Sequence, residues 1–234
     1  ETHLNYRSSS SMTIDGMVKV VAKGDEPAPA PAPDPEPEPQ PEPQPNPPLT
    51  PDPDKPLEVL DVSALNFGPF LYSGMYWNYW NSKEAPDAKW NSTADLSKWK
   101  RGASPLGWGD RDAGTPFDLP AKDRAITNYF VRDVNFGTLS ADFEVVLNVR
   151  VDDGAVIYVN GTEIQRVNMP EGTIDANTRA SSNVGLAKAK DNLVRITVPR
   201  KVLKDGVNRI AVEEHANYAG AASVTFDMKA SLLR

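Results

Sequence analysis

Between Asp25 and Pro56 the chain carries fifteen of its twenty-two prolines, alternating with Ala, Glu, Asp and Gln as in Pro27-Ala28-Pro29-Ala30-Pro31 and Pro35-Glu36-Pro37-Glu38-Pro39. Each proline ring fixes φ and removes a backbone donor, so this stretch can join neither a helix nor a sheet. It is expected to be a disordered linker sampling extended polyproline II, spanning roughly 100 Å at about 3.1 Å per residue. The 234 residues therefore divide into a leading piece, 1–24, the linker, 25–56, and a module, 57–234, long enough to bury a core of its own.

The linker also holds the chain's charge imbalance. It carries eight acidic residues and one lysine, a net of −7 that equals the net of the whole chain and leaves 24 basic and 24 acidic residues elsewhere. A balanced module lacks the concentrated basic surface that phosphate backbones require, so nucleic acid is not an expected partner. Electrostatic docking to an anionic membrane is excluded on the same ground, and no apolar run approaches the 18 residues of a spanning helix. The acidic linker reads as a solvated, self-repelling spacer.

The leading piece is too short for a core, yet Met17-Val18-Lys19-Val20-Val21-Ala22 follows the turn Asp15-Gly16 and predicts a strand. It is expected to be the truncated last strand of an upstream domain of the same polypeptide. The first residue is Glu and the chain has no cysteine, which excludes disulfides and thiolate chemistry. These features fit a fragment of an exported bacterial protein, secreted or displayed at the cell surface.

Past the linker, short β-type runs are separated by Gly, Pro, Asn and Asp, with no sustained helical period. In Glu144–Val151, Val145, Leu147, Val149 and Val151 share one face; in Ser223–Leu232, Val224, Phe226, Met228, Ala230 and Leu232 do. Each strand is expected to bury one face and wet the other. Ala155–Val159, Asn160-Gly161 and Thr162–Ile164 predict a two-residue hairpin, because Asn-Gly accepts the positive φ of a type I′ turn. Further strands are expected near Tyr129–Phe136, Leu193–Val198 and Arg209–His215. The fold class is all-β: an antiparallel β-sandwich of jelly-roll type, preceded by the disordered linker and the truncated strand.

Reactive groups in the module are few. His215 is its one histidine, and no Gly-x-Ser-x-Gly elbow accompanies it. Asp152, Asp153, Glu213 and Glu214 could form a glycosidase carboxylate pair by type, but spacing along the chain cannot supply the required separation. Asp152-Asp153-Gly154 reads either as the turn between two strands or as hard oxygen ligands for Ca²⁺, joined by Glu213 if its strand lies alongside. Alternation puts Glu213 and His215 on one face of that strand. Tyr76-Trp77-Asn78-Tyr79-Trp80, with Trp90, Trp99 and Trp108, offers ring faces suited to sugars. Most of these rings are expected in the core and one or two outside, with Trp80 as the candidate platform.

The run from Val151-Asp152-Asp153-Gly154 to Tyr158-Val159-Asn160-Gly161, followed by Asn168-Met169-Pro170-Glu171-Gly172, resembles a jelly-roll, galactose-binding-like accessory module of secreted bacterial exoenzymes such as calcineurin-like metallophosphoesterases. The resemblance also takes in Trp77, Trp90, Trp99, Pro105–Asp110, Tyr129-Phe130, Asn208–His215 and Ser223–Asp227, nearly all of residues 70–234. Asp-Asp-Gly before a Tyr-x-Asn-Gly hairpin is similar to the PA14 lectin-like pattern, which implicates Asp152 and Asp153 in a calcium site. The resemblance implies a non-catalytic, carbohydrate-binding-like module. The alternatives are a structural or protein-docking sandwich, and a part of a secreted metallophosphoesterase whose catalytic domain lies upstream. The expected ligand-binding residues are Asp152, Asp153, Glu213, His215 and Trp80; the expected metal ligands are Asp152, Asp153 and Glu213.

Overall fold

The computed structural model describes residues 57–139 and 143–234. The expected linker and the strand near Met17–Ala22 lie outside these residues. In chain order the strands are β1 (Leu60–Asp61), β2 (Gly68–Leu71), β3 (Tyr76–Trp80), β4 (Lys100–Ala103), β5 (Leu106–Trp108), β6 (Thr115–Pro116), β7 (Thr127–Asn135), β8 (Glu144–Arg150), β9 (Gly154–Val159) and β10 (Thr162–Val167). A short helix, α1 (Leu186–Asp191), then precedes β11 (Val194–Thr197), β12 (Val207–His215) and β13 (Val224–Leu233).

Two sheets form a sandwich. One runs β10-β9-β12-β7-β3-β4, with β1 added parallel to β7; the other runs β11-β8-β13-β5-β6, with β2 added to β13. The alternating strands supply the core between them. Val145, Leu147 and Val149 of β8 and Phe226, Met228 and Ala230 of β13 are all buried there, as the period of two requires. Trp77 meets Phe226 edge-on at 4.8 Å, and Phe130 stacks on the same ring at 4.2 Å, so aromatic contacts between the sheets close the middle of the sandwich.

The hairpin forms as the sequence predicts: Asn160 and Gly161 take φ of 52° and 84° between β9 and β10. The expectation that the second face of each strand is wet fails in part. Val146, Thr225 and Asp227 are buried as well. Thr225 is covered because its hydroxyl donates to Asp152 Oδ2 at 3.2 Å, and a hydrogen-bonded polar side chain can be buried at little cost. Strands β2 to β6 were not separable in the sequence, because the aromatic run of β3 and the Gly/Pro-rich segments after it lack a clean alternation.

Candidate functional site

Asp152, Asp153 and Gly154 connect β8 of one sheet to β9 of the other, inside the protein rather than at its surface. Asp152 is 0% and Asp153 1% exposed. Asp153 accepts the Val184 backbone N–H at 2.6 Å on one oxygen and the Asn217 N–H at 2.9 Å on the other. Its own carbonyl accepts from Asn168 Nδ2, which also donates to the Ser182 carbonyl. The side chain thus ties together two distant loops. Gly154 is needed beside it: a Cβ there would lie 2.7 Å from Met169 Sδ and 2.8 Å from Ala180 Cβ.

Asp152 is held differently. Its carboxylate accepts from Ser223 Oγ and Thr225 Oγ1, each at 3.2 Å, and its N–H donates to Glu214 Oε1 at 2.7 Å. Burial, reinforced by the neighbouring Asp153 carboxylate, pushes the Asp152 carboxyl up to about 6 against the pull of the Ser223 and Thr225 hydrogen bonds. Glu214 is fully buried, and that burial together with the charge of Asp152 raises its carboxyl well above the usual range. Its second oxygen has no protein partner, which leaves the Asp152 N–H as the one donor that offsets a charge there.

The expected calcium set of Asp152, Asp153 and Glu213 does not assemble. Glu214, two residues beyond Val212, shares the face of β12 that enters the main core, whereas Glu213 lies with Ala211 on the opposite face. All four oxygens of the aspartate pair already accept protein donors, a donor-rich surround that does not suit a cation. Among the described residues no group of three or more acidic, histidine or cysteine side chains is placed to hold a metal ion.

On the outer face of the larger sheet, Trp90, Trp99, Tyr129, Val131 and Ala211 form a second apolar cluster, with Trp80, Leu96 and Tyr158 against it. Glu213 accepts the Tyr158 hydroxyl at 2.6 Å, and both burial and that acceptor push the Tyr158 phenol upward. His215 is 0% exposed. Its Nδ1 lies 2.9 Å from Thr127 Oγ1 and 2.8 Å from the Thr178 carbonyl, with Nε2 3.7 Å from Glu213. Glu213 and His215 therefore do meet, but in a buried polar network beneath the 168–184 loop rather than at an accessible site. Arg209 anchors the cluster's covering segment: it pairs with both oxygens of Asp133 at 2.8 Å and donates to the carbonyls of Trp90 and Ala94.

Of the five tryptophans, Trp80 alone is not buried. Its indole N–H donates to the Glu84 carbonyl at 2.7 Å, and its ring leans on Trp99 at 6.0 Å. It borders an open cleft of about 510 Å³, whose other walls include Tyr79, Leu119, Lys83, Lys98 and Lys100; clefts of roughly 300–1,000 Å³ commonly take small ligands. Lys100 reaches this wall because β4 pairs with β3 in a register that sets it opposite Tyr79. The sequence reading reached Trp80 but missed the lysines, because only the β3–β4 pairing and the folded loops bring positions 83, 98 and 100 together.

The raised carboxyls carry a pH prediction. A carboxyl raised in the folded state contributes stability that is complete below its unfolded value, about 4, and is lost as pH rises through the folded value. The melting temperature is therefore expected to fall as pH rises from about 4 through about 6, where Asp152 gives up its proton, with Glu214 adding to the fall above the usual carboxyl range. Glu214→Gln keeps an acceptor for the Asp152 N–H and removes the charge, so it should flatten that fall. Thermal unfolding of both proteins across this range is the check; an equally steep fall in the variant would show that Glu214 does not contribute to it.

No protein-family model matches the chain, and no curated protein matches it. Solved structures do. Bacteroides uniformis beta-glucuronidase 2 is similar at 14% identity and a TM-score of 0.47, over 72% of this chain and 18% of that one. A glycosyl hydrolase family 2 member from Bacteroides cellulosilyticus is similar at 12% identity and a TM-score of 0.47, over 71% of this chain and 20% of that one. A beta-glucuronidase of an uncultured Clostridium gives 14% identity and a TM-score of 0.44, over 75% of this chain and 30% of that one. The chain thus spans less than a third of the length of each, and none of the three is a metallophosphoesterase.

Proposed function

We propose that residues 57–234 are a non-catalytic carbohydrate-binding module that serves a longer extracellular polypeptide. The observation that carries this reading is the Trp80 cleft. It joins the one accessible tryptophan ring to polar side chains in an open concavity, the combination that suits a sugar's apolar ring face and its hydroxyl rim. The aspartate pair and the Glu213–His215 network are not accessible to a polysaccharide, and their hydrogen bonds are spent on the fold. The proline-rich composition of residues 25–56 is that of a tether, which raises the local concentration of whatever it joins near the bound surface.

The full chain, run by affinity electrophoresis through gels containing individual polysaccharides, should be retarded by at least one of them. Trp80→Ala should weaken that binding by about tenfold or more while leaving the melting temperature within a few degrees. No retardation in any gel would sink the proposal. Retardation untouched by Trp80→Ala would move the site away from the cleft.

A further inference from the structure

We infer that the cleft selects an anionic polysaccharide, one bearing carboxylate or sulfate groups, over its neutral counterpart. This rests on the cleft being the sugar site, and it turns on the three ammonium groups at its walls. Lys83 Nζ donates to the Lys122 carbonyl, and Lys100 Nζ donates to Asn81 Oδ1 at 2.9 Å while lying 6.0 Å from the centre of the Tyr79 ring. Lys98, the third, lines the same cleft. Among the described residues none of the three makes an ion pair.

Several charges elsewhere in the module are paired. Asp110 takes Arg150 and Lys190, Asp133 takes Arg209, and Glu163 takes Arg166. The acids nearest the cleft do not do this. Asp95, three residues before Lys98, turns its carboxylate onto Ser97 and feels the Lys98 charge without forming an ion pair with it, and Glu84 and Asp123 stand on the cleft wall without pairing with a lysine. Two of the three ammoniums are therefore positioned by neutral acceptors, which fix a cation's place without cancelling its charge. Lys83 joins the loop after β3 to the turn at Ala121–Asp123, and Lys100 is on the neighbouring strand. The charges thus come from separate segments that line the same cleft as Trp80, where one ligand would meet several of them.

The chemistry that fits is a chain of sugar rings, one of which lies on the Trp80 face while its acidic groups reach the ammoniums. Each exposed contact is weak and screened by salt, but several acting on one ligand favour the charged form by about tenfold at low ionic strength.

Matched pairs of probes test this. Polygalacturonate is compared with its fully methyl-esterified form, and dextran sulfate with dextran, using the full chain, the Trp80→Ala variant and a Lys83→Gln, Lys98→Gln, Lys100→Gln triple variant. At least one charged probe should bind about tenfold more tightly than its neutral partner, and that preference should shrink in about 0.5 M NaCl. The triple variant should lose the preference with its melting temperature unchanged. Which pair shows the effect distinguishes a carboxylate from a sulfate ligand. Equal binding within both pairs, or a charge preference that survives the triple substitution, overturns the anionic assignment but leaves the sugar-binding proposal standing provided Trp80→Ala still weakens binding. Absence of binding to all four probes overturns the anionic assignment; the sugar-binding proposal itself falls only if the wider panel of polysaccharides also fails to bind.

Discussion

Gly107→Ala is expected to prevent the smaller sheet from closing and to cost more than about 4 kcal/mol, the range reserved for severe backbone or core clashes. Gly107 pairs with Thr225 in the β5–β13 ladder at a φ of 143°, and a Cβ built there would stand 1.9 Å from the Val224 carbonyl oxygen. The obstacle is backbone on a central strand, so no side chain can turn aside to relieve it. A domain of this size would lose about 10 °C or more of melting temperature, or fail to accumulate in soluble form. Gly74→Ala is the control, because Gly74 also has positive φ, 93°, but has nothing within 4 Å of the added atom; it should cost only about 1–2 kcal/mol from the left-handed backbone. Similar losses at both positions would show that φ, and not the close approach of β13, is what requires glycine at 107.

Asp153→Ala is expected to be the second most damaging change, at about 3 kcal/mol. It strips acceptors from the Val184 and Asn217 N–H groups together, and each buried donor left without a partner costs about 1–3 kcal/mol. Limited proteolysis should then open the 168–184 and 216–222 loops before the sheets. Asp153→Asn retains one acceptor oxygen and should lie between wild type and alanine. Calcium separates this structural role from the ligand role implied by the lectin-like pattern. A metal held by Asp152 and Asp153 would raise the wild-type melting temperature by several degrees at millimolar calcium through mass action. A staple made of backbone hydrogen bonds is indifferent to calcium and to chelator, and that indifference is the expected result.

The two variants also mark where sequence reading succeeds and where it stops. The Asn160-Gly161 turn was legible because the twist of a two-residue hairpin and the φ tolerance of its residues are local properties. The buried faces of β8 and β13 were legible because side chains alternate along any strand. The division of the tryptophans, with Trp77, Trp90, Trp99 and Trp108 buried and Trp80 partly open, followed from the apolar area that a sandwich of this length must find for its core. Trp108 needed one thing more, an acceptor for its indole N–H, and finds it in the Ala221 carbonyl at 3.0 Å.

What the sequence determined by itself was therefore the set of strands whose pattern repeats locally, the hairpin, the composition of the proline-rich stretch and the type of residue available for chemistry. Tertiary structure decided the rest. Alternation states that Glu213 and Glu214 point to opposite faces, but only the β9–β12 register and the packing of the sheets turn Glu214 toward Asp152 and Glu213 toward Tyr158. Asp153 finds its partners 31 and 64 residues further along the chain, a distance at which no periodicity carries information. Lys83, Lys98 and Lys100 are each an ordinary surface lysine in the sequence. They line one cleft beside Trp80 because β4 pairs with β3 and a loop folds back over the 121–123 turn, and a charge cluster assembled from separate segments exists only once those segments have packed.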